Sequence, residues 1–190
     1  MTLKKKLILI GASTGGPGHI KKIFSSYESY FCAPIVIAQH MNQQFISSFV
    51  RQFDDEHPFD ILLANFRHKI DNSCVYICAD HCEFAKKDFD LYLEKADDVM
   101  SHYSPSIDHL FLSAVKLCKD YDILAILLTG IGQDGAQGLS ELKDTGATCI
   151  AESKESAIVY GMPKKAAELN SNIKVMHLDE IIKYMKKFGG

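Results

Sequence analysis

The stretch "DILAILLTG" carries an unbroken apolar run from Ile123 to Leu128. A strand with one face in water alternates apolar and polar residues, so a short run without a polar residue must be covered on both faces. Leu7–Ala12 ("LILIGA") and Pro34–Gln39 ("PIVIAQ") read the same way, and "FDILLAN" and "ATCIAE" supply further short apolar segments. Helical spacing lies between them: Pro17 to about Tyr27, Gln43–Phe53, Ser104 to about Lys119, Asp134–Thr145, "PKKAAELN" and "LDEIIKYMKKF". Strands buried on both faces, alternating with helices, predict an α/β fold. The expected form is a doubly wound, mostly parallel sheet with helices on both faces. From Asn72 to Glu94 the pattern changes. "SCVYICA" and "DFDLYLE" alternate residue by residue and are separated by charges, which predicts an antiparallel hairpin.

A chain of 190 residues fits one domain with a core of its own. The net charge of -3 excludes an overall basic field, so nucleic acid is not an expected partner. The lysines between Lys183 and Lys187 read as a solvated helix face. Lys4, Lys5 and Lys6 precede an apolar run too short for a signal peptide, and no stretch approaches the roughly 20 apolar residues of a membrane span. The expectation is a cytoplasmic monomer without membrane insertion. Cys32, Cys118 and Cys149 lie in strand-like or helix-like apolar runs, where thiols commonly pack as small hydrophobes. Cys74, Cys78, His81 and Cys82 are close together but lack the paired C-x-x-C spacing of common zinc sites. No metal and no cofactor is expected.

In open parallel sheets, function collects at the carboxyl ends of strands, beside a switch in strand order. Gly11-Ala12-Ser13-Thr14-Gly15 follows the first strand and fits G-x-S-x-G, a turn that lifts a serine above the sheet. It lacks the lysine of a phosphate-binding P-loop, and Ser13 stands where a dinucleotide fingerprint needs its second glycine. His40 follows the second strand. "LTGIGQDGAQG", Leu128 to Gly138, follows the most apolar strand and carries Asp134. A serine, a histidine and an aspartate at one edge are the parts of acyl transfer: the histidine takes the serine's proton and the aspartate holds the imidazole. Blander readings exist for each. Ser13 or Asp134 fits a helix cap, and His40 fits a surface histidine. His177, in "IKVMHLDE" near the end, is a second candidate base, but the chain is short and the serine early for the order Ser, acid, His.

"IGASTGGP", "QHM", "PSIDHLF", "LTGIGQDGA" and "VYGMPKKA" occur in one order along the chain. Together they resemble the catalytic domain of the bacterial chemoreceptor glutamate methylesterase (CheB) family, over about residues 7 to 182. The resemblance implies a serine hydrolase that demethylates γ-glutamyl methyl esters on the cytoplasmic helices of methylated chemoreceptors, and that can also deamidate receptor glutamines. It implies Ser13 as nucleophile, His40 as base and Asp134 as its orienting acid. The oxyanion hole would be the backbone N–H groups of Thr14 and Ile131, the latter replacing the family's methionine. Two departures concern substrate recognition. Ser101-His102-Tyr103-Ser104 stands where the family carries R-H-R, and Cys78-Ala79-Asp80 replaces its A-P-G. Only a few residues precede the first strand, whereas a receiver domain needs on the order of 100. The expectation is a single catalytic domain, residues 1–190, without a receiver domain and without phosphorylation control in cis. Two other functions fit the same residues: a receptor-binding adaptor with a vestigial triad, and a small-molecule esterase.

Overall fold

The computed structural model describes residues 4–27 and 31–189. In chain order the elements are β1 (Lys5–Ala12), α1 (Gly16–Phe24), β2 (Ile35–Gln39), α2 (Gln43–Glu56), β3 (Ile61–Ala64), β4 (His68–Lys69), β5 (Val75–Cys78), β6 (Cys82–Lys87) and β7 (Asp90–Lys95). Then follow α3 (Ile107–Ala114), a 3₁₀ turn (Val115–Lys119), β8 (Tyr121–Leu127), α4 (Ala136–Asp144), β9 (Thr148–Glu152), α5 (Met162–Leu169), β10 (Lys174–Met176) and α6 (Leu178–Gly189).

Seven strands form one parallel sheet in the order β10-β9-β8-β1-β2-β5-β3. Alternate residues of the apolar runs feed two separate cores. Leu7, Leu9, Ile123, Ala125 and Leu127 pack with Leu110 and Phe111 of α3, Leu139 and Leu142 of α4, Ala166 of α5, and the hairpin residues Phe84 and Leu93. Ile8, Ile10, Leu124, Ile126 and Leu128 pack on the other face with Ile20 and Phe24 of α1, Val50 and Phe53 of α2, and Ile181 and Met185 of α6. Fully burying such a side chain stabilises the fold by about 1.5–3 kcal/mol relative to exposure. The unbroken apolar runs are therefore a consequence of a three-layer, doubly wound sheet.

The antiparallel part is a second sheet, β4-β7-β6, in which the hairpin β6–β7 is joined by the short β4. The expected hairpin differs in one strand. Val75–Cys78, in "SCVYICA", belongs to the parallel sheet, between β2 and β3. All four of its residues are buried. Tyr76 is buried too, because its hydroxyl accepts the Asp71 N–H at 2.9 Å and donates to the Lys69 carbonyl at 3.0 Å. The alternation read from the sequence was therefore a polar-tipped residue satisfied inside.

Two helices are shorter than their sequence spacing. The helix expected from Ser104 to Lys119 is α-helical only over Ile107–Ala114. The 3₁₀ turn that follows buries Leu117 and delivers the chain directly to β8. The helix expected from Asp134 starts at Ala136, because Gly135 takes a left-handed conformation (φ 86°) at its N-cap. Among the described residues, no helix is long and apolar enough to cross a membrane.

Candidate active site

From β1 the chain runs to β2 on one side, and β8 lies on the other, so the strand order switches at β1. Ser13 stands at that switch. Its backbone is tied on three sides. The Ser13 N–H donates to the Thr129 carbonyl (2.9 Å), and its own carbonyl accepts from Gly16 N–H (2.9 Å) and Gln39 Nε2 (3.0 Å). Among the described residues, the Ser13 hydroxyl has no hydrogen-bond partner. The capping role is not its own: the N-cap of α1 is Gly15, with no side-chain cap bond. Gly15 has φ 87°, and a Cβ there would lie 2.7 Å from the Cβ of Ile158, so the turn needs a glycine for both reasons.

His40 is the first residue after β2. Its N–H donates to the Ala12 carbonyl (2.9 Å), and the buried Gln39 side chain donates to the His40 carbonyl (2.9 Å). The His40 Nε2 lies 2.7 Å from Asp134 Oδ2. Tyr103 stacks on the imidazole, ring centroids 5.0 Å apart and planes within 9°. The residue at one of the family departures thus roofs the candidate base.

Asp134 is 3% exposed and does not cap its own helix, whose N-cap is Gly135. Its carboxylate instead sits over the N-terminus of α3. Oδ2 accepts from Ile107 N–H (2.7 Å), and Oδ1 accepts from Asp108 N–H (3.0 Å) and the Ser106 hydroxyl (3.4 Å). Burial pushes this carboxyl up, but the His40 hydrogen bond and the Asp108 and Ile107 amides outweigh it and hold it below the usual carboxylate range. Asp134 is therefore ionised at neutral pH and accepts only. The proton on the imidazole then sits on Nε2, and Nδ1 is the lone pair left to take a proton from a serine. No hydrogen bond joins His40 to the Ser13 hydroxyl among the described residues. In unliganded sites such contacts are often long and tighten when substrate binds.

The two backbone donors expected for an oxyanion hole are Thr14 and Ile131. Both residues are exposed, and neither amide has an acceptor among the described residues. Ile131 follows Gly130, whose N–H donates to the Val159 carbonyl (3.0 Å) and whose carbonyl accepts from Met162 N–H (2.9 Å). A Cβ on Gly130 would lie 2.6 Å from the Ser13 Cβ and would meet the Met162 sulfur. Gly130→Val should therefore lower kcat/KM on a methyl ester by about 10²-fold or more, because it displaces the serine and the Ile131 amide together. Ile131→Met should stay within a few-fold of the starting rate, since the Ile131 side chain is 62% exposed and the expected donor is its amide, which methionine keeps. A large loss in Ile131→Met would show that the side chain matters.

His177 lies beyond β10, with β9 and β8 between it and β1. Its Nδ1 accepts from Asp179 N–H (3.2 Å) at the start of α6, so it serves that helix end. Among the former metal candidates, Cys78 and Cys82 are buried, and the His81 Nδ1 accepts from Ser106 N–H (3.0 Å). Among the described residues, no group of three or more His, Cys, Asp or Glu is placed to hold a metal ion.

Sequence reasoning missed the polar layer beneath the loops. Thr129 and Glu152 are fully buried, and His19 is 8% exposed. The His19 Nε2 lies 2.9 Å from Glu152 Oε1. A glutamate closing the apolar run "ATCIAE" at the functional edge was the available signal. The hydrogen bond that His19 donates to Glu152 raises the His19 pKa, against the opposing effect of burial. A raised folded value gives stability that is complete below the free imidazole value, about 6.5, and is lost as pH rises through the folded value. Thermal melts should thus show the protein weakening as pH rises above about 6.5. His19→Gln should lack that component, and an unchanged slope would contradict it.

This arrangement has counterparts. A model of the CheB methylesterase family matches residues 8–185. A protein of Bacillus subtilis named protein-glutamate methylesterase/protein-glutamine glutaminase is 33% identical over 181 residues, covering 93% of this chain and 50% of its own length. One of that name from Saccharophagus degradans is 33% identical over 177 residues, covering 93% of this chain and 48% of its own. The chain thus spans about half the length of the curated relatives it matches. The crystal structure of the Thermotoga maritima CheB methylesterase catalytic domain superposes with a TM-score of 0.88 at 28% identity, over 97% of this chain and 99% of that one. With the family match running from β1 into α6, the chain belongs to the CheB methylesterase family.

Proposed function

We propose that this chain hydrolyses γ-glutamyl methyl esters on the cytoplasmic helices of methylated chemoreceptors, and that it works in the cytoplasm. The observation that carries this reading is the buried, ionised Asp134 bonded to His40 Nε2 beside Ser13, at the switch point of the sheet. The relatives' name, protein-glutamate methylesterase/protein-glutamine glutaminase, supports the ester hydrolysis in this reading.

In this reading His40 Nδ1 takes the Ser13 proton as Oγ attacks the ester carbonyl. Asp134 steadies the imidazolium that forms. The Thr14 and Ile131 amides receive the charge on the carbonyl oxygen, where one such donor lowers the barrier by about 3 kcal/mol. The tetrahedral intermediate collapses, and methanol leaves with the proton from His40. Water, deprotonated by His40, then attacks the γ-glutamyl ester on Ser13; His40 returns that proton to the Ser13 oxygen, and the receptor side chain leaves as a γ-carboxylate. A glutamine side chain would give the same acyl-enzyme with ammonia as the leaving group, so deamidation needs no further residue.

Methanol release from methylated receptor membranes by the purified chain tests the proposal. Release that disappears in Ser13→Ala is the expected result. Receptor binding without release would favour an adaptor with a vestigial triad. Turnover of p-nitrophenyl esters at rates rivalling demethylation would favour a small-molecule esterase.

A further inference from the structure

We infer that Glu152, held by His19, is a positioning residue for the oxyanion loop; the inference rests on the hydrolase reading of the site. The parallel ladder between β8 and β9 ends at Leu127 opposite Ala151. Beyond it the next rung is made by a side chain: the Thr129 N–H donates to Glu152 Oε2 at 2.8 Å. Glu152 Oε1 is bonded to His19 Nε2 at 2.9 Å and accepts from the Ser156 hydroxyl at 2.8 Å. The carboxylate is wholly buried, so these bonds are what make its burial tolerable.

Thr129 is where the loops of the site converge. Its carbonyl accepts the Ser13 N–H at 2.9 Å. Its hydroxyl donates to the Thr14 carbonyl at 2.8 Å and accepts the Val159 N–H at 2.9 Å. Val159 in turn accepts the Gly130 N–H, one residue before Ile131. The serine and both proposed oxyanion amides are therefore referenced to one residue, and Glu152 sets where that residue sits. A carboxylate holds an N–H more firmly than a neutral acceptor does. His19 completes the brace from α1, the helix that follows the Ser13 turn. Donors aimed at the oxyanion act on the transition state and leave ground-state binding alone.

The test compares Glu152→Ala, Glu152→Gln and the double variant His19→Leu/Glu152→Met with the unmodified chain. A γ-glutamyl methyl ester peptide is the substrate, and phenylboronic acid is the tetrahedral mimic. Glu152→Ala should lower kcat by about 10²–10³-fold, the loss seen when one oxyanion donor is removed, with KM unchanged. Affinity for the boronate should fall in parallel. Glu152→Gln keeps an oxygen for the Thr129 N–H and should recover most of the loss. The double variant replaces both members of the buried pair and so leaves neither without its partner; it should fold and be as slow as Glu152→Ala. A folded double variant with undiminished kcat and boronate affinity would overturn the inference, as would a loss confined to KM. An unmodified chain without activity would overturn the hydrolase reading itself; an active one beside undiminished variants would overturn the positioning role alone.

Discussion

Ser13→Ala is expected to leave the chain folded and to remove its hydrolytic activity, by about 10⁶-fold in kcat. The two halves of that expectation rest on different atoms. The turn is held by the Ser13 N–H and carbonyl, through Thr129, Gly16 and Gln39, and alanine keeps both groups. The hydroxyl has no partner among the described residues, so stability should change by less than about 1 kcal/mol. Methanol release and a thermal melt measured on the same preparation check both halves. His40→Gln should be similarly inactive, and the double variant no worse than either single one, because the residues act as a unit. A Ser13→Ala protein that still turns over at a measurable fraction of the original rate would point to another nucleophile.

Asp134→Asn carries the second large effect, and the structure makes it larger than a capping change. Four donors face this carboxylate: His40 Nε2, Ile107 N–H, Asp108 N–H and the Ser106 hydroxyl. An amide turns one of the two oxygens into a donor, and in either orientation its NH₂ meets a backbone N–H. Stability should fall by about 1–3 kcal/mol, the cost of leaving such a buried group unmatched. The rate should fall by up to about 10⁴-fold, because an amide at this place favours the wrong imidazole tautomer. The depressed carboxyl of Asp134 sets a pH dependence of its own. Its stabilising contribution is present above the free aspartate value of about 3.9 and is lost as pH falls through the folded value below it. Acid unfolding of wild type and Asp134→Asn, compared beside their rates, measures this. A variant of unchanged rate would leave Asp134 with a structural role only.

Much of the fold was legible because burial on both faces leaves a plain mark. β1, β2 and β8 read as apolar runs, and Ser13, His40 and Asp134 stand out at or near the point where those runs give way to polar residues. β5 was misread because Tyr76 looks half-polar until its hydroxyl is seen bonded to Asp71 and Lys69 inside the protein. The seat of Asp134 was invisible for another reason: its amide donors come from α3, well before it in the chain, and such distant contacts have no local signature. Thr129, Glu152 and His19 escaped because each is a common residue type whose meaning depends on partners in other elements. On sequence alone, the departures at residues 78–80 and 101–104 concern substrate recognition. In the structure Tyr103 stacks on His40, and Asp80 braces Gln43 and Lys95, so these segments also shape the candidate base and its surroundings.

A fluorophosphonate attacks a serine rapidly only when a neighbouring base takes the proton and amides receive the negative oxygen. Treating the purified chain with such a reagent, followed by mass spectrometry of the intact protein and its peptides, asks directly whether Ser13 is an activated nucleophile. One adduct per chain is expected, located on Ser13, and formed far more slowly in His40→Gln and Asp134→Asn. An unlabelled chain, or an adduct on another hydroxyl such as that of Ser156, would contradict the assignment of Ser13, His40 and Asp134.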